Sequence, residues 1–440
     1  LRSRFALLCA VMMTSLTGAA AIAAPLVAPA PLVQGPINDS ITVPLTRDLP
    51  HALMTSRDQG AVAPSMLLPH IRLTLKRPAA LQAALDSLTH DQRVRGTASY
   101  HKWLTPNQLR AYGPAPADIT KVVGWLNSHG LAVNSVSPSG MSIDFGGRAA
   151  NVAAAFHTQL HFVLRAGAAH ISNITAPAIP AALAPVVAGT TLANFFPRPQ
   201  MARVTPSLTS SGSAGTYYAV APADFATIYN VNPLRGSANF YHQPITGTGV
   251  TIAVVEQTLI KSSDWTTFRK AFGLASYAGT LTQVQPGKCT SPGFIGDEGE
   301  AALDAEWSGA VAPDAKVIEA SCAGTEFTFG VETTLENLLE YGTPATIFSI
   351  SYGGAELDNG FAFVVGWNNL LEEGAAEGKA IFVSSGDSGA AAGEGDYVDG
   401  LDVNGLADSA YNVSVGGTDF YDTARGENAK YWHKTNSIAD

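Results

Sequence analysis

The second half of the chain repeats one pattern. Short apolar, β-branched runs occur at 249–257 (GVTIAVVEQ), 315–321 (AKVIEAS), 345–354 (ATIFSISYGG), 379–387 (KAIFVSSGD) and 411–420 (YNVSVGGTDF), each bounded by Gly, Pro, Ser or Asp. Between several of them lie helical stretches at 298–311 (EGEAALDAEWSGAV), 334–342 (TLENLLEYG) and 363–378 (FVVGWNNLLEEGAAEG). Strands apolar on both faces that alternate with helices predict an α/β unit: a parallel sheet covered by helices on each side. In such sheets the site lies at the carboxyl ends of the strands, which directs attention to the turns at Glu256, at Tyr352 to Gly354 and at Gly386 to Asp387. The first half reads differently. Amphipathic stretches at 78–89 and 116–130 are followed by two short strands within 131–147 around a Pro-Ser-Gly turn, then by a helix-to-strand passage at 151–163. This predicts a compact α+β module over 45–197. A Pro- and Ala-rich flexible lead-in occupies 24–44, and the polar, aperiodic stretch 198–218 reads as an exposed linker open to proteolysis, ahead of a body over 219–440.

The first residues change the picture of location. Arg2 and Arg4 precede the apolar run FALLCAVMMTSLTGAAAIAA, with an Ala-x-Ala site at Ala21, Ile22 and Ala23. This is the pattern of a signal peptide over 1–23, implying export to the periplasm or the medium rather than stable membrane insertion. After its removal two cysteines remain, Cys289 and Cys322. An oxidising compartment permits them to pair, although two buried free thiols would fit the spacing as well.

Charge divides the chain further. Residues 25–215 carry 14 Lys plus Arg against 7 Asp and no Glu, a net of +7, whereas residues 216–440 carry 10 Lys plus Arg against 29 Asp plus Glu, a net of −19. The basic residues form no cluster, so nucleic-acid binding is not indicated. Two units of opposite charge should attract at neutral pH and loosen as carboxylates protonate.

Two features could carry chemistry. Glu300 and Asp304 stand four apart on a predicted helix and share one face, a spacing that brings two carboxyl groups together and raises one pKa, but that also suits a solvated acidic surface. The hexapeptide SSGDSG at 384–389 resembles the surroundings of a trypsin-type serine, which would make Ser388 a nucleophile. That reading needs a histidine base, and the body offers only His242, in a loop before its first strand, and His433 near the end of the chain. A base that is itself a carboxylate needs no histidine in acid, and a protonated Asp387 beside Gly386 would suit donation to a developing oxyanion, if it is not simply a turn-forming residue.

Taken in order, Glu300-Ala-Ala-Leu-Asp304, SISYGG at 349–354, SSGD at 384–387 and VSVGGTDF at 413–420 resemble the serine-carboxyl peptidases of the sedolisin and kumamolisin family. The stretch YHKWLTPNQLRAYGPAPADITKVVGWLNSHGLAV at 100–133 is similar to their activation domain, and ADFATIYNVNPL followed by GTGVTIAVVEQT is similar to the start of their catalytic domain. The resemblance implies a subtilisin-like fold preceded by a prodomain, and a monomeric proenzyme that hydrolyses polypeptides in acid. It assigns Glu300 as general base, Asp304 as its proton-sharing partner and Asp387 as the oxyanion donor. The family's nucleophilic serine sits in a Gly-Thr-Ser segment after the VGGTDF strand, followed by a calcium site. Asp419 stands where GGTD would need that serine, so neither nucleophile nor metal ligands are expected in this chain, which reads as part of a longer precursor with an incomplete catalytic domain. The rival expectation is a secreted binding protein that keeps the fold without the chemistry.

Overall fold

A computed structural model describes residues 29–199, 209–212, 215–218, 220–236, 242–390 and 402–418. The segment read as a signal peptide, much of the stretch read as a linker, Asp419 and His433 lie outside the described residues. Among the described residues no helix is long and apolar enough to cross a membrane.

The first unit is built from strands β1 (Arg57–Ala61), β2 (Leu67–Leu75), β3 (Ala132–Val136), β4 (Ser142–Arg148), β5 (Leu160–Arg165), β6 (Ala168–Asn173) and β7 (Val187–Thr190). Its helices are α1 (Ala79–Arg93), α2 (Pro116–Ser128) and α3 (Ala149–Ala155). The strands form two antiparallel sheets, ordered β3–β4–β2–β7 and β1–β5–β6. Period-two alternation along β2 decides what each sheet face meets. Ile71, Leu73 and Leu75 are buried in a core with Val122 and Leu126 of α2 and Val152 of α3. Arg72 and Thr74 face away from that core, and both bond the second unit.

The lead-in is not the free segment expected from its composition. Leu32 and Val33 donate their backbone N–H groups to the buried carboxylate of Asp118, at 2.8 and 2.9 Å, and Trp125 Nε1 donates to Asp39 Oδ1 at 2.9 Å. Thr42–Pro44 pairs antiparallel with Ala178–Pro180. A few placed acceptors outweigh the conformational freedom that Pro and Ala suggested. The stretch 198–218 likewise departs from an aperiodic linker: the backbone of Thr209–Gly212 pairs with that of Gly215–Tyr218 as a hairpin.

The second unit follows the predicted alternation. Strands β8 (Thr251–Glu256), β9 (Thr280–Val284), β10 (Lys316–Ser321), β11 (Ile347–Ile350), β12 (Ala380–Ser384) and β13 (Val413–Val415) form one parallel sheet in the order β9–β10–β8–β11–β12–β13. Helices α4 (Ser262–Ala271) and α5 (Glu298–Val311) cover one face, and α6 (Gly330–Glu340) and α7 (Phe361–Ala376) the other. Val254 and Val317 pack with Ala301 and Ala305 of α5, whereas Ala253, Val255, Phe348, Ile350 and Val383 pack with Leu335, Phe363 and Trp367. Small residues at 301, 305 and 309 let α5 lie close to its neighbours; a Cβ at Gly309 would sit 2.2 Å from the Trp265 ring. That approach lowers the start of α5 onto the carboxyl ends of the strands.

Cys289 and Cys322 form a disulfide with a Cα–Cα distance of 5.6 Å, which ties the loop after β9 to the end of β10. It closes a loop of sequence separation 33. Loop-closure entropy then predicts that the Cys289→Ala/Cys322→Ala variant loses about 3–4 kcal/mol, read as a lower urea midpoint with a slope that does not fall.

Candidate active site

Alternation places polar side chains of three strands on the α5 face. Val254 and Val317 pack under α5, so Glu256 and Glu319, two residues further along their strands, point to the same side. The same rule sends Ser349 and Ser351 there, since Phe348 and Ile350 belong to the opposite core. Glu300 and Asp304 reach this layer from the first turns of α5, with only 1% and 9% of their surface exposed.

The bonds are specific. Ser351 Oγ donates to Asp304 Oδ1 at 2.6 Å, and Ser349 Oγ to Oδ2 at 3.4 Å. Tyr352 Oη donates to Glu256 Oε2 at 3.1 Å. Burial raises Asp304 to about 6, against the opposing bonds from Ser351, Ser349 and Glu256. Burial also lifts Glu300 to about 8, aided by the charges of Asp304, Asp387 and Asp297 and opposed by Ser351. Glu256, fully buried, is pushed well above the carboxylate range by desolvation and by Asp304, Glu319 and Glu300. Glu319 is raised to about 7 by burial. Such a group of carboxyls shares protons and titrates as a unit. The solvated acidic face that the i, i+4 spacing left open is therefore not what α5 presents at these positions.

Asp387 follows Gly386, whose φ of 98° makes the turn at the end of β12. It lies near enough for its charge to raise Glu300, on an open cleft with Ser385, Asn404 and Thr418. Ser388 sits in the ensuing turn, and among the described residues no imidazole bonds it. Asn404, which the sequence did not single out, joins the two halves of the cleft: its Nδ2 donates to Ser384 O at 2.7 Å, and its Oδ1 accepts from Gly354 N at 3.3 Å. Glu256 was legible only as a strand-end turn; Ser349, Ser351 and Glu319 were embedded in strands whose register alone reveals their common direction.

One more contact reaches this edge. The chain leaving the first unit adds Arg198–Pro199 as an antiparallel strand against Tyr352–Gly353, with Arg198 opposite Gly353 and Pro199 opposite Tyr352. Just before it, Phe196 stacks on Phe329 at 6.1 Å. Strand addition of this kind is a general mode of peptide recognition, and it runs toward Ser351 and its carboxylate partner. Among the described residues, no group of three or more His, Cys, Asp or Glu side chains is placed to hold a metal.

Residues 55–195 match the family described as pro-kumamolisin, activation domain. The chain is 30% identical over 388 residues to sedolisin from Pseudomonas sp. (strain 101), an alignment covering 83% of this chain and 62% of sedolisin. It is 25% identical over 357 residues to xanthomonalisin from Xanthomonas sp. (strain T-22), covering 76% and 41%, and 24% identical over 319 residues to kumamolisin from Bacillus sp. (strain MN-32), covering 70% and 55%. Among solved structures, Pseudomonas sedolisin, described as a serine-carboxyl proteinase complexed with two molecules of pseudo-iodotyrostatin, aligns with a TM-score of 0.38 and 21% identity over 46% of this chain and 54% of that one. The chain thus spans less than two thirds of the length of each of these curated relatives.

Proposed function

We propose, from the match of residues 55–195 to the pro-kumamolisin activation domain and from the similarity to sedolisin and kumamolisin, that the chain belongs to a secreted, acid-acting serine endopeptidase precursor. The observation that carries the reading is the convergence of Glu300, Asp304 and Asp387 at the strand ends, with Ser351 fixing Asp304. Glu300 is the general base toward the attacking serine, Asp304 shares and orients its proton, and Asp387 takes the role of donor to the oxyanion of the tetrahedral intermediate. The serine Oγ bonds to the scissile carbonyl carbon as its proton passes to Glu300. That proton then leaves with the amine, and water releases the acyl group by the reverse sequence. Burial raises Glu300 and Asp304 to about 8 and 6, which masks the base in this state. The attacking serine is the one that the resemblance places in a Gly-Thr-Ser segment downstream of the VGGTDF strand.

The strand formed by Arg198–Pro199 supports self-processing, because it lays the linker along the edge that a substrate would use. Expressed from its full-length gene and brought to about pH 4, the protein should generate a new N-terminus between Arg198 and Tyr218, at a rate independent of protein concentration. A folded product that yields no such N-terminus and cleaves no denatured protein from about pH 3 to 5 would refute the peptidase reading and leave a binding protein on the same fold.

A further inference from the structure

The seam between the activation domain and the body holds more acid than base. On the body side Glu332, Glu336 and Glu340 repeat every four residues along α6, and Glu372, Glu373 and Glu377 stand on or just after α7, all six buried. The activation domain brings two guanidinium groups to them. Arg72 bonds Glu336 through Nη1 and Nη2, both at 2.9 Å, and its Nε lies 3.4 Å from Glu332. Arg77 Nη2 lies 3.6 Å from Glu372 and 3.8 Å from Glu373.

The other direct partners are neutral. Ser142 Oγ donates to Glu336, Ser139 N and Oγ to Glu340, and Gln82 Nε2 and Tyr411 Oη to Glu372. The remaining charges that reach the seam are Lys379 beside Glu377, Asp86 beside Glu372, and Asp144, which acts on Arg72 and pairs with His70 at 2.8 Å. Both carboxyl oxygens of Glu373 and one each of Glu332 and Glu377 accept no hydrogen bond from any described residue.

Six carboxyl groups facing three cations cannot all remain ionised out of water, because an unpaired buried carboxylate is strongly disfavoured and like charges at close range bind a shared proton. We propose that the activation domain docks on α6 and α7 with net uptake of protons, so that mild acidification tightens the seam and deprotonation loosens it. The sign follows from burial, which raises Glu332, Glu340 and Glu377 to about 7 and Glu373 well above its ordinary value. A solvated glutamate titrates near about 4.3, so docking is fully supported below that value and is lost as pH rises through about 7. The direction is the reverse of the one that net charge alone predicts, since long-range attraction between the two units ignores which carboxylates the seam buries. It stands on the interface and does not require the chain to hydrolyse anything.

The amide of Leu104 crosses the seam, donating to Ala376 O at 2.9 Å, and its hydrogen exchange in the full chain reports opening. After correction for the pH dependence of the chemical step, protection should be roughly 10- to 100-fold greater at about pH 5 than at about pH 8. Glu340→Gln/Glu373→Gln/Glu377→Gln should keep Leu104 protected at the higher pH and remove most of the difference. Glu377→Gln alone should remove a smaller share, which decides the matter if the triple variant does not fold. Protection that falls on acidification, or a pH dependence unchanged by whichever variant folds, would overturn proton-coupled docking.

Discussion

On the proposed peptidase reading, replacing Glu300 by Gln in the full-length protein is expected to reduce kcat for acid proteolysis by about 10²- to 10⁴-fold, and Asp304→Asn by a similar factor. Gln keeps the volume and the bonding reach of Glu but cannot take the serine's proton. Asn at 304 can still accept from Ser351 but cannot share a proton with its neighbour. Because the two carboxyls act as a unit, the double variant should lose little more than either single one. Initial rates on a denatured protein near pH 4, with self-processing followed by gel, measure the effect. The same variants should not be destabilised. Glu300 is raised to about 8 when folded, so its neutral form is the one the fold favours, and stability is lost as pH rises through that value. Gln is permanently neutral, and Glu300→Gln should therefore melt higher than the parent above about pH 8. An inactive variant with a raised melting temperature there identifies loss of chemistry rather than loss of fold. Full processing by either variant would remove the dyad from the mechanism.

How far the sequence reached depends on the distance over which each signal acts. The alternation of apolar runs with helices is local, and all five of the apolar runs quoted contain strands of the parallel sheet. Strand β9 was not among them, since TLTQV at the sheet edge is too polar to stand out. Glu300 and Asp304 were legible because helical spacing alone puts them on one face. Glu256 and Glu319 were not, because their proximity depends on β8 pairing with β10 and on α5 closing over both. Asn404 belongs to a turn whose function appears only when β11 and β12 bring Gly354 and Ser384 within its reach. The charge division between the halves was visible, but its consequence at the contact was not. Net charge counts every carboxylate equally, whereas the seam selects the stripe of α6 that faces β2. The repeat of Glu332, Glu336 and Glu340 was a readable sign of such a face, since a like-charged i, i+4 row gains nothing by itself in an isolated helix.

Arg72→Met tests that selection most severely, and it is expected to weaken docking of the activation domain by about 3–5 kcal/mol near pH 8. The side chain is buried, forked onto both oxygens of Glu336 and close to Glu332, and Met replaces its stem without its charge. Two carboxylates one helical turn apart would then be held out of water with no cation between them. Exposure of α6 to solvent is their way out at high pH, and protonation is their way out at low pH. The penalty should accordingly shrink toward about pH 5, where the parent already carries Glu332 in its protonated form, raised to about 7 even with Arg72 beside it. Limited proteolysis of the linker and exchange at Leu104 report the same opening from two sides. Adding Glu336→Leu to Arg72→Met should recover more than half of the loss at pH 8, because it removes the stranded charge and fills the space with an apolar side chain. If the double variant is no better than Arg72→Met, the arginine holds the seam by its shape, and charge balance is not what sets the docking. If it recovers, the contact is governed by the count of charges it buries, and each glutamate along α6 and α7 that loses a cation must gain a proton or leave the seam.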